Sequence, residues 1–309
     1  MGSVRPLRPT RAEVDAEVIG RNVRRIAAAG GADVCAVVKA DGYGHGAATA
    51  ARAALAGGAT WLAVALVEEG AELRDAGITA PVLLLSEPTV AAVPDLVALD
   101  LTPTVYSEPF LAALDAAGRR RGRPVAVHAK LDTGMARVGA APEVWPVVLD
   151  RIGAADGLVL EGVETHLARA DEPSSGTTEM QLVRLAEGLE ELSDRPAPRY
   201  LHVANTAAAL VAADAIRAIG AALPATAPLV RAGIGVYGLD PGGEVRAADH
   251  GLEPALRIVS AVSFAKRVPG GTPVSYGHRW STPTDGWLAT VPIGYADGVP
   301  RALGGVGAA

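Results

Sequence analysis

The chain has 309 residues, half of them hydrophobic and 20% charged, which is enough apolar material for one large α/β domain and part of a second. A formal net charge of -6 and an aromatic content of only 4% argue against a nucleic-acid-binding surface. No apolar run approaches the roughly 20 residues that a membrane-spanning helix needs, and the N-terminus lacks the apolar core of a signal peptide. Cys35 is the only cysteine, so no internal disulfide can form and we expect a cytoplasmic protein.

An extended arm precedes the first predicted helix. Residues 1–12 are rich in proline and arginine, and we expect them to pair with another strand of the protein. Asp15 is in position to cap a helix, and apolar residues recur at helical spacing from Val18 until the Gly30-Gly31 pair ends it.

Strand-like and helix-like segments alternate after this helix. Eight segments have the apolar, β-branched character of strands that are buried on both faces: 34–39, 60–67, 81–86, 101–105, 125–131, 158–166, 199–205 and 229–232. Segments with helical spacing lie between them, such as 68–76, 108–118 and 179–192. Eight β/α units in roughly 230 residues are typical of a closed (β/α)₈ barrel, which we predict for residues 11–240. A doubly wound open sheet is the alternative, but no GxGxxG follows the first strand.

The composition changes after the predicted barrel. Short strand-like pieces at 255–266, 273–276 and 286–292 are separated by turns rich in proline and glycine, which is typical of a small all-β domain. Three strands are few for an independent sheet. We therefore predict a partial β-domain over residues 241–309, with residues 1–10 as a candidate partner.

The stretch AVVKADGYGHG, residues 36–46, carries Lys39 from a buried strand into a glycine-rich loop. An apolar environment disfavours the charged form of lysine and so favours the nucleophilic amine that Schiff-base chemistry needs. A lysine that merely extends from a strand end into solvent is the alternative.

Further polar residues follow the predicted strands, and in a (β/α)₈ barrel the carboxyl ends of all strands face one shared mouth. These residues are Lys39, Lys130, Asp132, Arg137, His166, His202, Asn205 and Arg231. The segment RAGIGVYG, residues 231–238, and Asn205-Thr206 at the start of the next helix offer backbone N–H groups to a phosphate. A phosphate site and a lysine at one mouth together indicate a pyridoxal phosphate site.

Seven motifs together resemble those of the alanine racemase family. They are AVVKADGYGHG, KLDTGMARVG, VETHLARADE, HVANTAA, RAGIGVYG, VSYG and IGYADGVPR, and they occur in this order between residues 11 and 301. The resemblance implies a cytoplasmic, pyridoxal-phosphate-dependent racemase that interconverts L- and D-alanine for peptidoglycan synthesis, and a homodimer whose active sites are shared across the interface. The alternatives are a racemase of serine or another small amino acid, a non-catalytic pyridoxal phosphate-binding barrel protein, and a barrel decarboxylase.

The resemblance implies a pair of acid/base residues. Lys39 would attach the cofactor and act on one face of the substrate, and Tyr276 of the partner subunit would act on the other. Two groups are needed because the proton leaves one face of the α-carbon and returns to the opposite face. His166 would assist the tyrosine, whose reference pKa is about 10, and Arg231 and His202 would complete this network.

The resemblance also implies a set of cofactor contacts. Arg231 would face the pyridine nitrogen, where related decarboxylases place a carboxylate. Because a guanidinium keeps its proton, the nitrogen would stay unprotonated and the cofactor would be a weaker electron sink, which suits simple proton exchange. The phosphate would be held by Tyr43, Asn205, Thr206, Gly233 and Ile234; position 206 is usually serine in the family, and threonine keeps the hydroxyl.

Substrate contacts complete the expectation. Arg137 would hold the substrate carboxylate, positioned by a carbamylated Lys130, and Tyr295 would restrict the pocket to small side chains. No metal is predicted. Family members continue for several more strands, which supply a Met-Asp pair and a further tyrosine, and nothing after Arg301 matches those. The resemblance therefore predicts a C-terminally truncated member of the family.

Overall fold

The computed structural model of the chain describes residues 7–221, 223 and 226–304. The chain divides into two compact units. One is Asp15–Ala255, and the other combines Met1–Val14 with Leu256–Ala309. The boundary between residues 240 and 241 stays a prediction, and residues 1–6 of the predicted arm lie outside the described residues.

The unit Asp15–Ala255 contains a closed barrel of eight parallel strands, each hydrogen-bonded to the next and the last to the first. The strands are Asp33–Val37, Trp61–Val64, Val82–Leu84, Thr102–Val105, Val125–Lys130, Leu158–Glu164, Tyr200–His202 and Ala227–Ala232. Each overlaps one of the eight predicted segments. At the closure of the barrel, Arg231 of the last strand pairs with Cys35 of the first. The prediction of a (β/α)₈ barrel is confirmed, and a doubly wound sheet is excluded.

Helices connect the barrel strands. They are Ala16–Gly30, Ala47–Ala56, Val67–Asp75, Val93–Ala98, Glu108–Arg121, Trp145–Gly153, Thr177–Glu190, Thr206–Val211 and Ala213–Gly220. The first helix begins as predicted, because the Asp15 side chain accepts hydrogen bonds from the N–H groups of Glu17 and Val18. It ends at Gly31, whose φ of 60° is the left-handed conformation that glycine adopts at low cost. Within the described part of the chain, no helix is both long enough and apolar enough to cross a membrane.

Apolar side chains fill most of the barrel interior, with one buried cluster formed by Cys35, Val37, Trp61, Ala63, Leu83, Tyr200 and Leu229. Four polar side chains are fully buried in the same barrel: Thr104, His128, Glu164 and His202. Buried polar and charged groups are costly unless they find partners. Their partners are one another and Arg231: Thr104 contacts Glu164, His128 contacts His202, and His202 contacts Arg231.

Among its described residues, the unit formed by the two ends of the chain has three two-stranded antiparallel sheets. Arg11–Val14 pairs with Leu256–Val259, Phe264–Val268 with Gly286–Thr290, and Pro273–Val274 with Trp280–Ser281. The expectation that the N-terminal arm pairs with another strand is confirmed for residues 11 and 12. The single predicted segment 255–266 is two strands, separated at residues 260–263.

Candidate active site

A cavity of about 470 Å³ lies at the carboxyl ends of the barrel strands. Ten of the residues predicted from the sequence line it: Lys39, Tyr43, Lys130, Arg137, His166, Asn205, Thr206, Arg231, Gly233 and Ile234. His202 is fully buried and contacts Arg231. Asp132, in contrast, orders the adjacent loop, since its carboxylate accepts hydrogen bonds from the N–H groups of Gly134 and Ala136.

Positive charge dominates the wall of this cavity. Four cationic side chains, Lys39, Lys130, Arg137 and Arg231, line it together with one carboxylate, Asp171. A concave surface lined by one sign of charge concentrates ligands of the opposite sign. The cavity is therefore suited to a small anionic ligand, such as a phosphate or a carboxylate.

Lys39 begins a left-handed helical turn directly after the first barrel strand. The φ angles of residues 40–43 are 51°, 53°, 60° and 53°. This conformation costs roughly 1–2 kcal/mol for each residue that has a Cβ, and Gly42 is the only residue of the four without one. Surrounding contacts must therefore maintain the turn.

Two carboxylates hold this turn in place. The side chain of Glu69 accepts a hydrogen bond of 2.6 Å from the N–H of Ala40, and the side chain of Asp41 accepts one of 2.7 Å from the N–H of Ala47. These bonds fix the backbone on both sides of Tyr43. The turn thus sets the positions of Lys39 and Tyr43 in the cavity wall.

A second tyrosine supports Tyr43. Tyr237 is fully buried, donates its hydroxyl to the carbonyl oxygen of Val37 at 3.0 Å, and packs against Tyr43 with ring centroids 5.1 Å apart. Burial raises the pKa of Tyr43, so its hydroxyl keeps its proton and can donate at neutral pH. A Cβ at Gly233 would lie 2.8 Å from this hydroxyl oxygen, so a larger residue there would displace the side chain of Tyr43.

Hydrogen-bond donors gather beside Tyr43. The hydroxyl of Thr206 accepts from the N–H groups of Gly233 and Gly235 at 3.2 and 3.3 Å. Asn205 has a structural contact, because its side chain caps the following helix by accepting from the N–H of Ala208 at 3.0 Å. Backbone N–H groups and hydroxyls arranged in this way suit a phosphate.

Arg231 is the central buried cation of the site, with only 3% of its surface exposed. Its guanidinium donates to Nδ1 of His202 at 2.9 Å and to Nδ1 of His166 at 3.2 Å, and also to the carbonyl oxygens of Thr165 and His202. Burial and the charge of Arg231 lower the pKa of His166 to about 3, and burial lowers that of His202 well below its usual range. Both imidazoles are therefore neutral at pH 7.

The negative charge that balances Arg231 comes from Glu164, which the sequence analysis did not identify. Glu164 is fully buried, with one oxygen 3.0 Å from Nη1 of Arg231 and the other 3.8 Å from Nζ of Lys130. The hydroxyl of Thr104 donates to it at 2.7 Å. Burial alone would raise the pKa of Glu164, but the charges of Lys130 and Arg231 outweigh burial and hold it below the usual range. A carboxylate at the end of a strand predicted to be buried was the signal that could have identified it.

Lys130 lies at the end of its barrel strand, with 4% of its surface exposed. Burial lowers its pKa, and the nearby charges of Arg231 and Arg137 act in the same direction, whereas Glu164 acts against them. The amine of Lys130 consequently loses its proton more readily than that of a solvent-exposed lysine.

Tyr276 and Tyr295 belong to the unit formed by the chain ends and do not line the cavity. Each begins a short 3₁₀ segment, Tyr276–His278 and Tyr295–Asp297. Their surfaces are 80% and 64% exposed. Both side chains are therefore accessible to a second molecule.

Comparisons with known proteins agree with this geometry. The family model described as "Alanine racemase, N-terminal domain" matches residues 14–241, and "Alanine racemase, C-terminal domain" matches residues 255–309. An alanine racemase from Frankia casuarinae is 41% identical over 94% of this chain, and one from Mycobacterium ulcerans is 44% identical over 95%. The chain spans 74% of the length of each of these relatives.

Solved structures show the same relationship. The crystal structure of alanine racemase from E.faecalis is 38% identical and has a TM-score of 0.83, with 97% of this chain and 78% of that chain covered. A histidine racemase from Leuconostoc mesenteroides is 26% identical, with a TM-score of 0.79 and coverage of 96% and 77%. On the strength of both matched domains and of these relatives, the chain belongs to the alanine racemase family.

Proposed function

We propose that this site racemises alanine with pyridoxal phosphate as the cofactor. The observation that carries the proposal is the placement of Lys39 in one cationic cavity with the buried guanidinium of Arg231 and the donors around Thr206. The residues present fit this cofactor. Because Gly233 has no Cβ, the space beside the Tyr43 hydroxyl stays open for a ligand. When bound, pyridoxal phosphate supplies an electron sink for the charge that develops on the α-carbon of the substrate.

Tyr43, Thr206 and the backbone of Gly233 and Ile234 would hold the phosphate. The hydroxyl of Tyr43 is a donor at neutral pH, and the hydroxyl of Thr206 accepts hydrogen bonds from two backbone N–H groups. Asn205 would contribute by fixing the start of the helix that carries Thr206.

Arg231 would face the pyridine nitrogen of the cofactor. Its guanidinium is held on two imidazoles and two carbonyl oxygens, so its direction is fixed before the cofactor binds. Because a guanidinium keeps its proton, it can only donate to that nitrogen. The weaker electron sink that results favours return of the proton over other reactions of the substrate.

Lys39 would attach the cofactor and exchange a proton on one face of the α-carbon. For the opposite face we infer Tyr276 of the partner subunit, in keeping with the 80% exposure of this side chain in the single chain. A homodimer with shared active sites is therefore part of the proposal.

His166 would tune the opposing tyrosine. Its Nδ1 accepts from Arg231, so the single proton of the neutral ring is on Nε2 and can be donated. A hydrogen bond donated to the phenolate oxygen stabilises the charged form of a tyrosine, which is the form that accepts a proton. Arg231 and His166 thus act together on the second base.

Arg137 would bind the substrate carboxylate, as a cation in the cavity wall beside Lys130. Tyr295 would restrict the space for the substrate side chain. Carbamylation of Lys130 stays a prediction, and so do a cytoplasmic location and a role in supplying D-alanine for peptidoglycan.

Another small amino acid, such as serine, is the second candidate substrate. The observation that keeps it open is the histidine racemase among the similar structures, which shows that this fold occurs in a racemase named for a larger amino acid. Turnover of alanine, serine and lysine measured side by side would rank them, and we expect alanine to have the highest kcat/KM.

The deciding experiment is the loss of optical rotation of L-alanine on incubation with the purified chain and pyridoxal phosphate. We expect rotation to decay to zero. Persistent rotation, together with the absorbance of a lysine-bound cofactor, would contradict the racemase proposal and favour a non-catalytic cofactor-binding barrel. Release of carbon dioxide would instead indicate a decarboxylase.

A further inference from the structure

A row of four polar side chains runs through the barrel from the candidate site. Nη1 of Arg231 lies 2.9 Å from Nδ1 of His202, and Nε2 of His202 lies 2.8 Å from Nδ1 of His128. Nε2 of His128 lies 3.5 Å from a carboxylate oxygen of Glu161. Both histidines are fully buried, and Glu161 lines a second cavity at the amino ends of the strands. Nothing described so far gives His128 or Glu161 a role.

The contact of 2.9 Å with Arg231, which is shorter than the 3.7 Å between Nδ1 of His202 and a carboxylate oxygen of Glu164, sets the donors and acceptors along this row. A guanidinium has donors alone, so Nδ1 of His202 must accept from Arg231. A neutral imidazole carries one proton, which is then on Nε2 of His202 and points at His128. Nδ1 of His128 must therefore accept, and the proton of this second ring is on Nε2, on the side of Glu161. An ionised carboxylate is an acceptor only, so Glu161 at the end of the row suits the N–H on Nε2 of His128.

Packing keeps the His128 ring in this orientation. A Cβ at Gly162 would lie 2.7 Å from Nδ1 of His128, so the glycine on the neighbouring strand makes room for the ring. The rings of Trp61 and Tyr200 lie 5.2 and 6.1 Å from it, centroid to centroid. Nε2 of His128 makes no hydrogen bond to the described residues, so the nearby carboxylate acts on its N–H by charge.

We propose that His128 and Glu161 are positioning residues for the racemase site, acting through His202 to keep its Nδ1 an acceptor for Arg231. The carboxylate of Glu161 favours the proton on Nε2 of His128, and His128 in turn favours the proton on Nε2 of His202. Without these proton positions, Nδ1 of His202 can carry the proton and face the guanidinium, which also has only N–H groups. Arg231 then loses one of its hydrogen-bond acceptors. The expected effect on catalysis rests on the proposed function, whereas the expected positions of the ring protons do not depend on it.

The first test measures the proton positions in the cofactor-free chain. Long-range ¹H–¹⁵N spectra of ¹⁵N-histidine-labelled protein distinguish protonated from unprotonated ring nitrogens, and His128→Asn and His202→Asn variants assign the signals. We expect His128 and His202 both to be neutral and protonated at Nε2. A proton on Nδ1 of either ring, or a doubly protonated ring at pH 7, would overturn the proposal.

The second test uses matched variants of Glu161, which is partly exposed and tolerates substitution better than the buried rings. Glu161→Leu keeps the size but removes the acceptor, and Glu161→Gln keeps a carbonyl oxygen. We expect Glu161→Leu to redistribute the proton of His202 between its two nitrogens and to weaken pyridoxal phosphate binding about tenfold, the value of one good hydrogen bond. Glu161→Gln should restore most of the wild-type spectrum.

Asp33→Asn is the control, since Asp33 lines the same second cavity and should leave both the histidine spectrum and cofactor binding unchanged. Wild-type proton positions and cofactor binding in Glu161→Leu would contradict the proposal. If that variant does not fold, the wild-type spectrum still decides. A chain with the expected spectrum that does not racemise alanine would contradict the proposed function alone.

Discussion

The two units of the chain use their polar and aromatic side chains in opposite ways. In Asp15–Ala255, Arg231, Lys130 and Glu164 are almost completely buried and satisfy one another. In the unit formed by the chain ends, Tyr276 and Trp287 are 80% and 73% exposed. The difference shows that the charged side chains of the barrel are ordered by contacts within the barrel, whereas these two aromatic side chains lie on an exposed surface.

Lys39→Ala should have the largest effect, because it removes both cofactor attachment and one acid/base group. We expect racemisation to fall by at least about 1,000-fold, with loss of the absorbance of the lysine-bound cofactor. Lys266→Ala is the control: Lys266 lies on the exposed strand Phe264–Val268, and its loss should change neither quantity. Normal turnover in the Lys39→Ala variant would contradict a catalytic role for the barrel unit.

Tyr276→Phe should lower racemisation by about 100- to 10,000-fold, since one acid/base group is lost while the barrel stays intact. Cofactor absorbance should be unchanged. Exchange of the α-hydrogen with solvent deuterium should survive for one enantiomer of alanine and fail for the other. Equal exchange of both enantiomers at the wild-type rate would show that the exposed tyrosine is not the second base.

Glu164→Gln should destabilise the protein by about 3–5 kcal/mol, because Arg231 and Lys130 would lose their buried counter-charge. Urea unfolding at pH 7 measures this change in the free energy of unfolding. Glu187→Gln, on an exposed position of the helix Thr177–Glu190, should have almost no effect. A destabilisation below about 1 kcal/mol in Glu164→Gln would mean that the barrel does not depend on this internal charge balance.

Acid should destabilise the barrel through His166, and this loss should begin at a higher pH than the protonation of carboxylates. The pKa of this histidine is about 3 in the folded chain and about 6.5 in the unfolded chain. Below pH 6.5 the unfolded chain therefore binds a proton at His166 that the folded chain does not bind. Its contribution to stability is therefore complete above pH 6.5 and is lost progressively as the pH falls towards 3.

Between pH 7 and 4.5 this loss amounts to about 2.5 kcal/mol. His166→Asn should lose less stability than the wild type over the same interval, as measured by urea unfolding at both pH values. His278→Asn, at an exposed position of the other unit, should follow the wild type. Identical pH dependence in the wild type and His166→Asn would show that the histidine is not held neutral by its surroundings.

Trp287→Ser should have the smallest effect on the isolated chain, within about 0.5 kcal/mol, because the side chain is 73% exposed. The buried Trp145, which is 1% exposed, provides the contrast, since Trp145→Ala should cost about 3–5 kcal/mol. A large, concentration-dependent loss of stability in Trp287→Ser would show that a second chain covers this tryptophan.

The sequence predicted the barrel because its strands are buried on both faces and are separated by helical segments, a pattern that needs no knowledge of contacts. It also predicted which residues reach the cavity, since that follows from their position at strand ends. Lys39, Arg137 and Arg231 were all found in this way.

The features that were missed depend on pairing between distant strands or on backbone handedness. Glu164 meets Thr104 and Arg231 only because three different strands place them together. The left-handed turn after Lys39 involves alanine, aspartate and tyrosine, whose sequence does not indicate positive φ. In the other unit, the strands Leu256–Val259 and Phe264–Val268 were predicted as one segment, and the two-residue strand Trp280–Ser281 was missed because it leaves little periodicity to detect.

The pairing of Cys35 with Arg231 also determines when the site can exist during synthesis of the chain. These residues are about 200 positions apart in the sequence. The first barrel strand, Asp33–Val37, therefore gains its second neighbouring strand only after nearly the whole barrel has been synthesised. Contacts of such long separation form slowly, because loop closure must be completed before they stabilise anything. A nascent chain that has not yet released residues 227–232 from the ribosome therefore has Lys39 without Arg231 beside it, and the cavity that both residues line is completed late in folding.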